Sequence, residues 1–304
     1  MKSVLSLITA IFFTTNLFAQ DDLSALFKDE KKSHDPVSAT FKTSRLNMSH
    51  SIETVGAHQL DFRISHNFGE MGGAGSSSHN MYGFYQIANI RIAFEYGINK
   101  NLTFGLGSSK GFGAAKELYD GYLKYKLLRQ TIDNKMPVSV TLLGVATVSG
   151  MHASTDTTSE VHYTSTTERL SYCTQILIAR KFSEKLSVQL MPSYVHRNLV
   201  GFGDENDFFA IGFAGRYKFT KRSAIVIDYY KPFSAYRTAL HKAGGYYNPL
   251  GIGYEIETGG HVFHVSLINT AGLVETDFIT NSPTSWSKNF GVRMGFNISR
   301  WFHI

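Results

Sequence analysis

Three places in the sequence carry residue types that could do chemistry. His152-Ala153-Ser154 sets an imidazole two residues from a hydroxyl, the beginning of a base and nucleophile pair. Such a pair also needs a third group to orient the imidazole, and the strand expected next offers no Asn at the facing position. The surrounding stretch, 149–168, is rich in Ser and Thr, so it reads more simply as a solvated loop. "GDENDF" (203–208) gathers Asp204, Glu205 and Asp207 around an Asn. It lacks the ligand spacing and the glycine of a Ca²⁺ loop, and reads as a plain acidic loop. His261 and His264 look like a metal pair, but residues three apart on a strand point to opposite faces, so they cannot share a metal. Cys173 is the only cysteine, without a partner for an internal disulfide and without charged neighbours to activate its thiol. No catalytic residue, metal or cofactor is expected from these groups, and the chain does not read as an enzyme.

A stronger signal comes from charges that recur in step with an alternation of period two. In "LDFRISHNF" the residues Leu60, Phe62, Ile64 and Phe68 share one face and Asp61, Arg63, Ser65 and Asn67 the other. "NIRIAFEYG", "GFAGRYKF", "LGIGYEIE" and "FGVRMGFNI" repeat the pattern. Asp61, Arg63, Arg91, Glu95, Lys124, Lys126, Arg216, Lys218, Asp228, Glu255, Glu257 and Arg293 all fall on the polar face. If that face turns inward, the charges are costly unless paired or hydrated. They either line a narrow aqueous path or form ion-paired networks that close it.

The elements that must position these residues are strands. The spacing predicts twelve, at about 57–68, 86–98, 101–109, 118–129, 136–148, 169–182, 185–197, 207–219, 222–233, 248–258, 260–269 and 288–299. Short turns alternate with longer loops, the latter at 69–85, 110–117, 149–168, 198–206, 234–247 and 270–287. The apolar faces carry aromatics near strand ends, among them Tyr96, Tyr125, Tyr194, Tyr217 and Tyr254. Even strand number, alternating connection lengths and aromatic girdles are features of outer-membrane barrels. The expected fold is therefore all-β: a single transmembrane antiparallel β-barrel of about 12 strands with short periplasmic turns and longer outer loops.

The rest of the 304 residues fits that frame. Met1-Lys2, the apolar run from Val4 to about Phe18, and Ala19 read as a cleaved signal peptide. No later window has the length of uninterrupted apolar sequence that a spanning helix needs. The formal net charge is +6, with Lys and Arg scattered rather than blocked, so nucleic acid is not an expected partner. The expected organisation is a signal peptide at 1–19, a periplasmic lead-in or lumen plug at 20–55, and the barrel at 56–304. With twelve wall strands after residue 56, the strand-like stretch 41–55 has no place in the wall. Arg45, Asn47, His50, Ser51 and Glu53 would suit it to the charged lumen. The terminal "NISRWFHI" offers aromatics of the kind that barrel-assembly signals use.

Several runs resemble an uncharacterised family of β-barrel proteins from Gram-negative bacteria, a domain of unknown function. They are "HSIET" (50–54), "LDFRISHNFG" (60–69), "NIRIAFEYGINKNLTFGLGSS" (89–109), "YDGYLKYKLLRQ" (119–130), "QLMPSYVHRN" (189–198) and "GFNISR" (295–300), and together they span nearly all the mature chain. The resemblance implies an outer-membrane barrel and assigns no activity. The expected function is a narrow channel for a small polar solute. The alternatives are a filled structural or binding barrel acting through its outer loops, and an outer-membrane esterase or phospholipase built on His152 and Ser154. The expected partners are the lipid bilayer, lipopolysaccharide and the barrel-assembly machinery.

Overall fold

The computed structural model describes residues 33–73, 76–110 and 113–304, with the side chains of 87 and 88 left out; the signal peptide expected at 1–19 and residues 20–32 lie outside the described residues. Twelve strands form one closed antiparallel sheet. They are β1 (Gln59–Glu70), β2 (Ile87–Gly97), β3 (Leu102–Lys110), β4 (Glu117–Leu128), β5 (Ser139–Ser149), β6 (Leu170–Lys181), β7 (Leu186–Arg197), β8 (Asp207–Lys218), β9 (Ser223–Phe233), β10 (Leu250–Thr258), β11 (His261–Ile268) and β12 (Arg293–His303). Each strand pairs with its sequence neighbours, and β1 pairs with β12 from Gln59↔His303 to Glu70↔Arg293, which closes the cylinder.

The short polar turns have a local cause. In the β2–β3 turn the Asn99 side-chain oxygen accepts from the amides of Asn101 (2.8 Å) and Leu102 (3.0 Å). Ser183 does the same for Lys185 and Leu186 between β6 and β7. Asn and Ser in such turns stand in for a missing backbone acceptor, so the chain reverses within a few residues. The opposite end carries the long connections. The one after β9 contains helix α1 (Ala235–Ala243), capped by Ser234, whose hydroxyl accepts from Arg237 N, and stopped by Gly244 at φ 83°.

The alternation sorts residues between two environments. Leu106, Leu123, Ile176, Phe213 and Ile252 face outward at mid-strand and are exposed. Aromatic rings mark both ends of the outer surface. Tyr125, Tyr217 and Tyr254 lie toward the short turns, and Tyr119, Tyr172 and Phe209 toward the long loops. An apolar band between two aromatic girdles is the surface that a bilayer demands.

Two expectations need correction. The last strand was expected at 288–299 but runs Arg293–His303. Asn289 and Phe290 adopt positive φ (55° and 49°), so the apolar alternation of Phe290 and Val292 extends into a loop and does not mark a strand there. The outer loop expected at 270–287 is a connection of 269–292 that turns back into the barrel. Thr270 to Thr276 are buried, and helix α2 (Glu275–Phe278) sits inside the wall.

The depth of the lipid band is testable on one strand. Leu123→Arg, at mid-strand on the outer face, should destabilise the barrel by about 2–4 kcal/mol, and Tyr125→Arg, near the short-turn rim, by about 0–1 kcal/mol. Urea titrations of both variants in liposomes measure the difference; equal midpoints would contradict the assignment.

Candidate functional site

The candidate site is the lumen, occupied from both ends. From the short-turn end, residues 35–37 lie along the β4–β5 connection, where Val37 N donates to Gln130 O and Ile132 N to Asp35 O. The chain then enters the barrel, and Thr40, Phe41 and Thr43 to Ile52 are buried. It forms a small β-hairpin: Leu46 N donates to Ser49 O at 2.8 Å, Ser51 N donates to Ser44 O at 2.9 Å, and Arg45 bridges to His50. The chain leaves past Gly97, where an added Cβ would lie 2.0 Å from Gly56 O, and continues into β1. At the tip, a Cβ on Gly253 would lie 1.9 Å from the side-chain oxygen of Asn47. The inward glycine of β10 is therefore the space that the hairpin tip fills.

The wall holds this hairpin by polar contacts. Both Asp228 oxygens are used: Oδ2 accepts from the amides of Met48 (2.9 Å) and Ser49 (3.1 Å) and Oδ1 from Asn47 Nδ2 (2.7 Å). Lys124 Nζ donates to Ser44 O (2.8 Å) and Glu53 O (3.1 Å), and Lys126 pairs with Glu53 at 3.1 Å. Arg63 donates to Asp61 (3.0 Å) and to Ser44 Oγ (3.1 Å), and its Nε lies 3.7 Å from Glu95. Away from the hairpin, Arg91 binds Asp120 through two parallel bonds of 2.9 and 2.5 Å, and Arg216 binds Glu255, with His264 at 3.4 Å from the same carboxylate. Arg293 lies 3.8 Å from Glu70.

From the long-loop end, segment 269–292 descends to meet the hairpin. Phe278 packs edge-on to Tyr230 with ring centroids 5.3 Å apart, and Thr276 bonds Thr147 at 3.0 Å. The two insertions join at Arg45, whose Nη2 donates to Leu273 O (3.1 Å) and Glu275 Oε1 (3.0 Å). Burial pushes the Glu275 carboxyl up, against the opposing pull of Arg45. Burial, then the neighbouring cations, push His50 well down, so its neutral Nε2 accepts from Arg45 Nη1 at 3.1 Å.

Of the charges singled out by the alternation, Asp61, Arg63, Arg91, Glu95, Lys124, Lys126, Arg216, Asp228, Glu255 and Arg293 are buried inside the barrel. Lys218 and Glu257 are half-buried at the short-turn rim, beside a cavity of about 150 Å³ that Lys42 and Arg216 also line. The sequence reading missed Asp120, the partner of Arg91, although it keeps the period of Tyr122, Lys124 and Lys126 on β4. It also missed that the inner face is two-sided. Leu143, Val145, Cys173, Leu177, Met191, Val195 and Val226, on β5 to β7 and β9, join one apolar cluster with Leu46, Met48 and Ile52 of the hairpin.

The other candidates resolve into loop chemistry. Ser154 Oγ accepts from Asp156 N (3.1 Å), and the ring near the Ser154 carbonyl belongs to His162 (2.7 Å). In "GDENDF" Asp204 is ion-paired with Arg197 and with Arg237 (3.0 Å), and Glu205 accepts from Ala235 N. Among the described residues no group of three or more His, Cys, Asp or Glu could hold a metal ion.

The profile of a family described as "Membrane bound beta barrel domain (DUF5777)" matches residues 41–302. No curated protein matches the chain. Among solved structures the chain is similar to a KdgM porin, with 9% identity over 81% of this chain and 99% of that one and a TM-score of 0.47. It is also similar to the COG4313 outer membrane channel from Pseudomonas putida F1, with 12% identity over 83% of this chain and 98% of that one and a TM-score of 0.45.

Two outcomes check the site. Gly253→Leu should drive the hairpin tip from its seat, so that trypsin cleaves after Arg45 in the folded detergent-solubilised variant and spares that bond in the parent. At the outer rim, burial alone would raise the Asp204 carboxyl, but Arg197 and Arg237 outweigh it and hold the group below its ordinary value. A depressed carboxylate contributes stability above its unfolded pKa and loses it as pH falls through the folded one. Pepsin should therefore begin to cut the 198–206 and 234–247 loops only well below about pH 4. Asp204→Asn should be cut there throughout the acid range.

Proposed function

The chain belongs to the membrane-bound β-barrel family, and we propose that it is a channel for a small polar solute, closed at rest by its own N-terminal hairpin. A closed antiparallel barrel with an even strand number and an outward apolar band is the outer-membrane form, so the short turns face the periplasm and the long loops the exterior. In this reading the lead-in and plug at 20–55 approach from the periplasm, the barrel-assembly machinery inserts the wall, and the outer rim meets lipopolysaccharide.

The observation that carries the reading is the kind of contact that holds the hairpin. Its backbone is bound by wall side chains that water could hydrate equally well once it leaves, namely Asp228, Lys124 and Gln189. Exchanging protein partners for water at such groups changes little net free energy per bond. A segment seated this way is displaceable, and the wall it uncovers is charged and ready to be wet. A filled barrel acting through its loops is the second reading, favoured by the apolar contacts that Leu46, Met48 and Ile52 make with the wall. The loop geometry around Ser154 favours neither esterase nor phospholipase action.

Planar-bilayer recordings decide between the two. The chain lacking residues 33–55 should show a single-channel conductance several-fold above that of the full chain. A filled barrel predicts no increase.

A further inference from the structure

The lumen wall recognises the hairpin mainly through its main chain. Gln189 on β7 is the clearest case: its Nε2 donates to His50 O at 2.8 Å and its Oε1 accepts from Ile52 N at 2.8 Å. One primary amide thus reads the carbonyl of one residue and the amide of the residue two further on, as a neighbouring strand would. Asn297 Nδ2 on β12 spans two successive carbonyls, Leu46 O (3.3 Å) and Asn47 O (3.2 Å). Lys124 takes the carbonyls of Ser44 and Glu53, Thr141 that of Ile52, and Thr103 accepts from Val55 N. Asp228 receives two successive amides. Donors and acceptors in the wall are placed for a polypeptide backbone, which presents both at a fixed spacing.

The two-sided wall adds a second, independent observation. Beside the charged arc of β1, β2 and β4, strands β5 to β7 and β9 form a more apolar arc in which Leu143, Leu177, Met191 and Val226 are interspersed with polar residues such as Thr141, Gln175 and Gln189. A sugar chain carries hydroxyls on every side, and those facing the apolar arc would lose their partners to water at a cost. A peptide alternates side chains from one side to the other and can satisfy both arcs at once, as the hairpin does.

From the reading of the lumen as a gated channel, on which this rests, we propose that its solute is a short peptide and that hairpin 44–51 is a built-in occupant of the peptide site. Displacement of the hairpin by a peptide exchanges one set of main-chain hydrogen bonds for an equivalent set. Because the contacts are to main chain, recognition tolerates sequence, and specificity is left to the contacts of Lys126 with Glu53 and of Asp228 with Asn47 and Ser49.

The test uses the barrel lacking residues 33–55 in a planar bilayer, with three probes: a peptide of the 40–55 sequence, the same residues scrambled, and maltohexaose. Both peptides should reduce the open current reversibly at concentrations where the sugar has no effect. Gln189→Ala in the same background should weaken that block about three- to tenfold, the loss of a neutral hydrogen-bonding partner. Should the deleted chain fail to insert, full-length Gly253→Leu, with its hairpin tip expelled, receives the same probes. A pore that opens but ignores peptides, is blocked only by the native 40–55 sequence, or is blocked equally by maltohexaose overturns the peptide assignment and leaves the channel reading standing. A pore whose conductance does not rise in either variant overturns both.

Discussion

The ladder between β1 and β12 is the contact on which the rest depends. A sheet in hydrocarbon has no water to satisfy an open edge, so every backbone amide and carbonyl must find its partner within the wall. The pairing from Gln59↔His303 to Glu70↔Arg293 removes the last edge. Closure with an even number of strands returns the chain to the side where it began, and Ile304 N donates to His58 O there. Whatever precedes β1 must therefore start at the short-turn end. It can remain in water or rise into the lumen, and in this protein residues 40–55 rise.

The interior of a barrel this wide is not filled by the wall's own side chains. Some inward charges pair across the wall, as Arg91 does with Asp120 and Arg216 with Glu255, and others find partners in two segments of the chain folded inside, as Asp228, Lys124 and Lys126 do. Arg45 and Glu275 come from segments that enter at opposite ends, and they meet without water between them at 3.0 Å. A buried pair of this kind adds little net stability, because desolvation offsets the attraction, and breaking it is costly only while the charge left behind stays dry. Its effect is to set the hairpin and the loop in register with each other. The same logic applies at Asp228, where one carboxylate receives two amides, an amide side chain and a hydroxyl.

The lumen is also uneven around its circumference. On β1, β2 and β4 the inward positions hold Asp61, Arg63, Arg91, Glu95, Asp120, Lys124 and Lys126; on β5 to β7 they include Leu143, Val145, Cys173, Leu177, Met191 and Val195. The hairpin is matched to this division, with Leu46, Met48 and Ile52 in the apolar cluster and its backbone turned to the polar side chains. An occupant of such a space has to be amphipathic on the scale of single residues.

Most of the wall was legible in the sequence because it follows from period two. Alternate residues of a strand face alternate solvents, so Asp61 and Arg63 declare one face and Phe62 and Ile64 the other before any partner is known. The turns were legible for the same local reason, since Asn99 and Ser183 act within three residues of themselves. Where both solvents are apolar the signal fades: β5 carries Leu142 outside and Leu143 inside, and nothing in their types says which is which. The last strand was misplaced because Phe290 and Val292 keep the alternation through a loop whose positive φ values are invisible in residue type. For 41–55 the sequence offered a periplasmic lead-in or a lumen plug, but the seat that 40–55 takes and the path of 269–292 were decided by tertiary structure. Whether a polar segment lies in water or in a lumen depends on the groups waiting inside, and Gly253, Asp228, Gln189 and Asn297 come together only when the barrel closes.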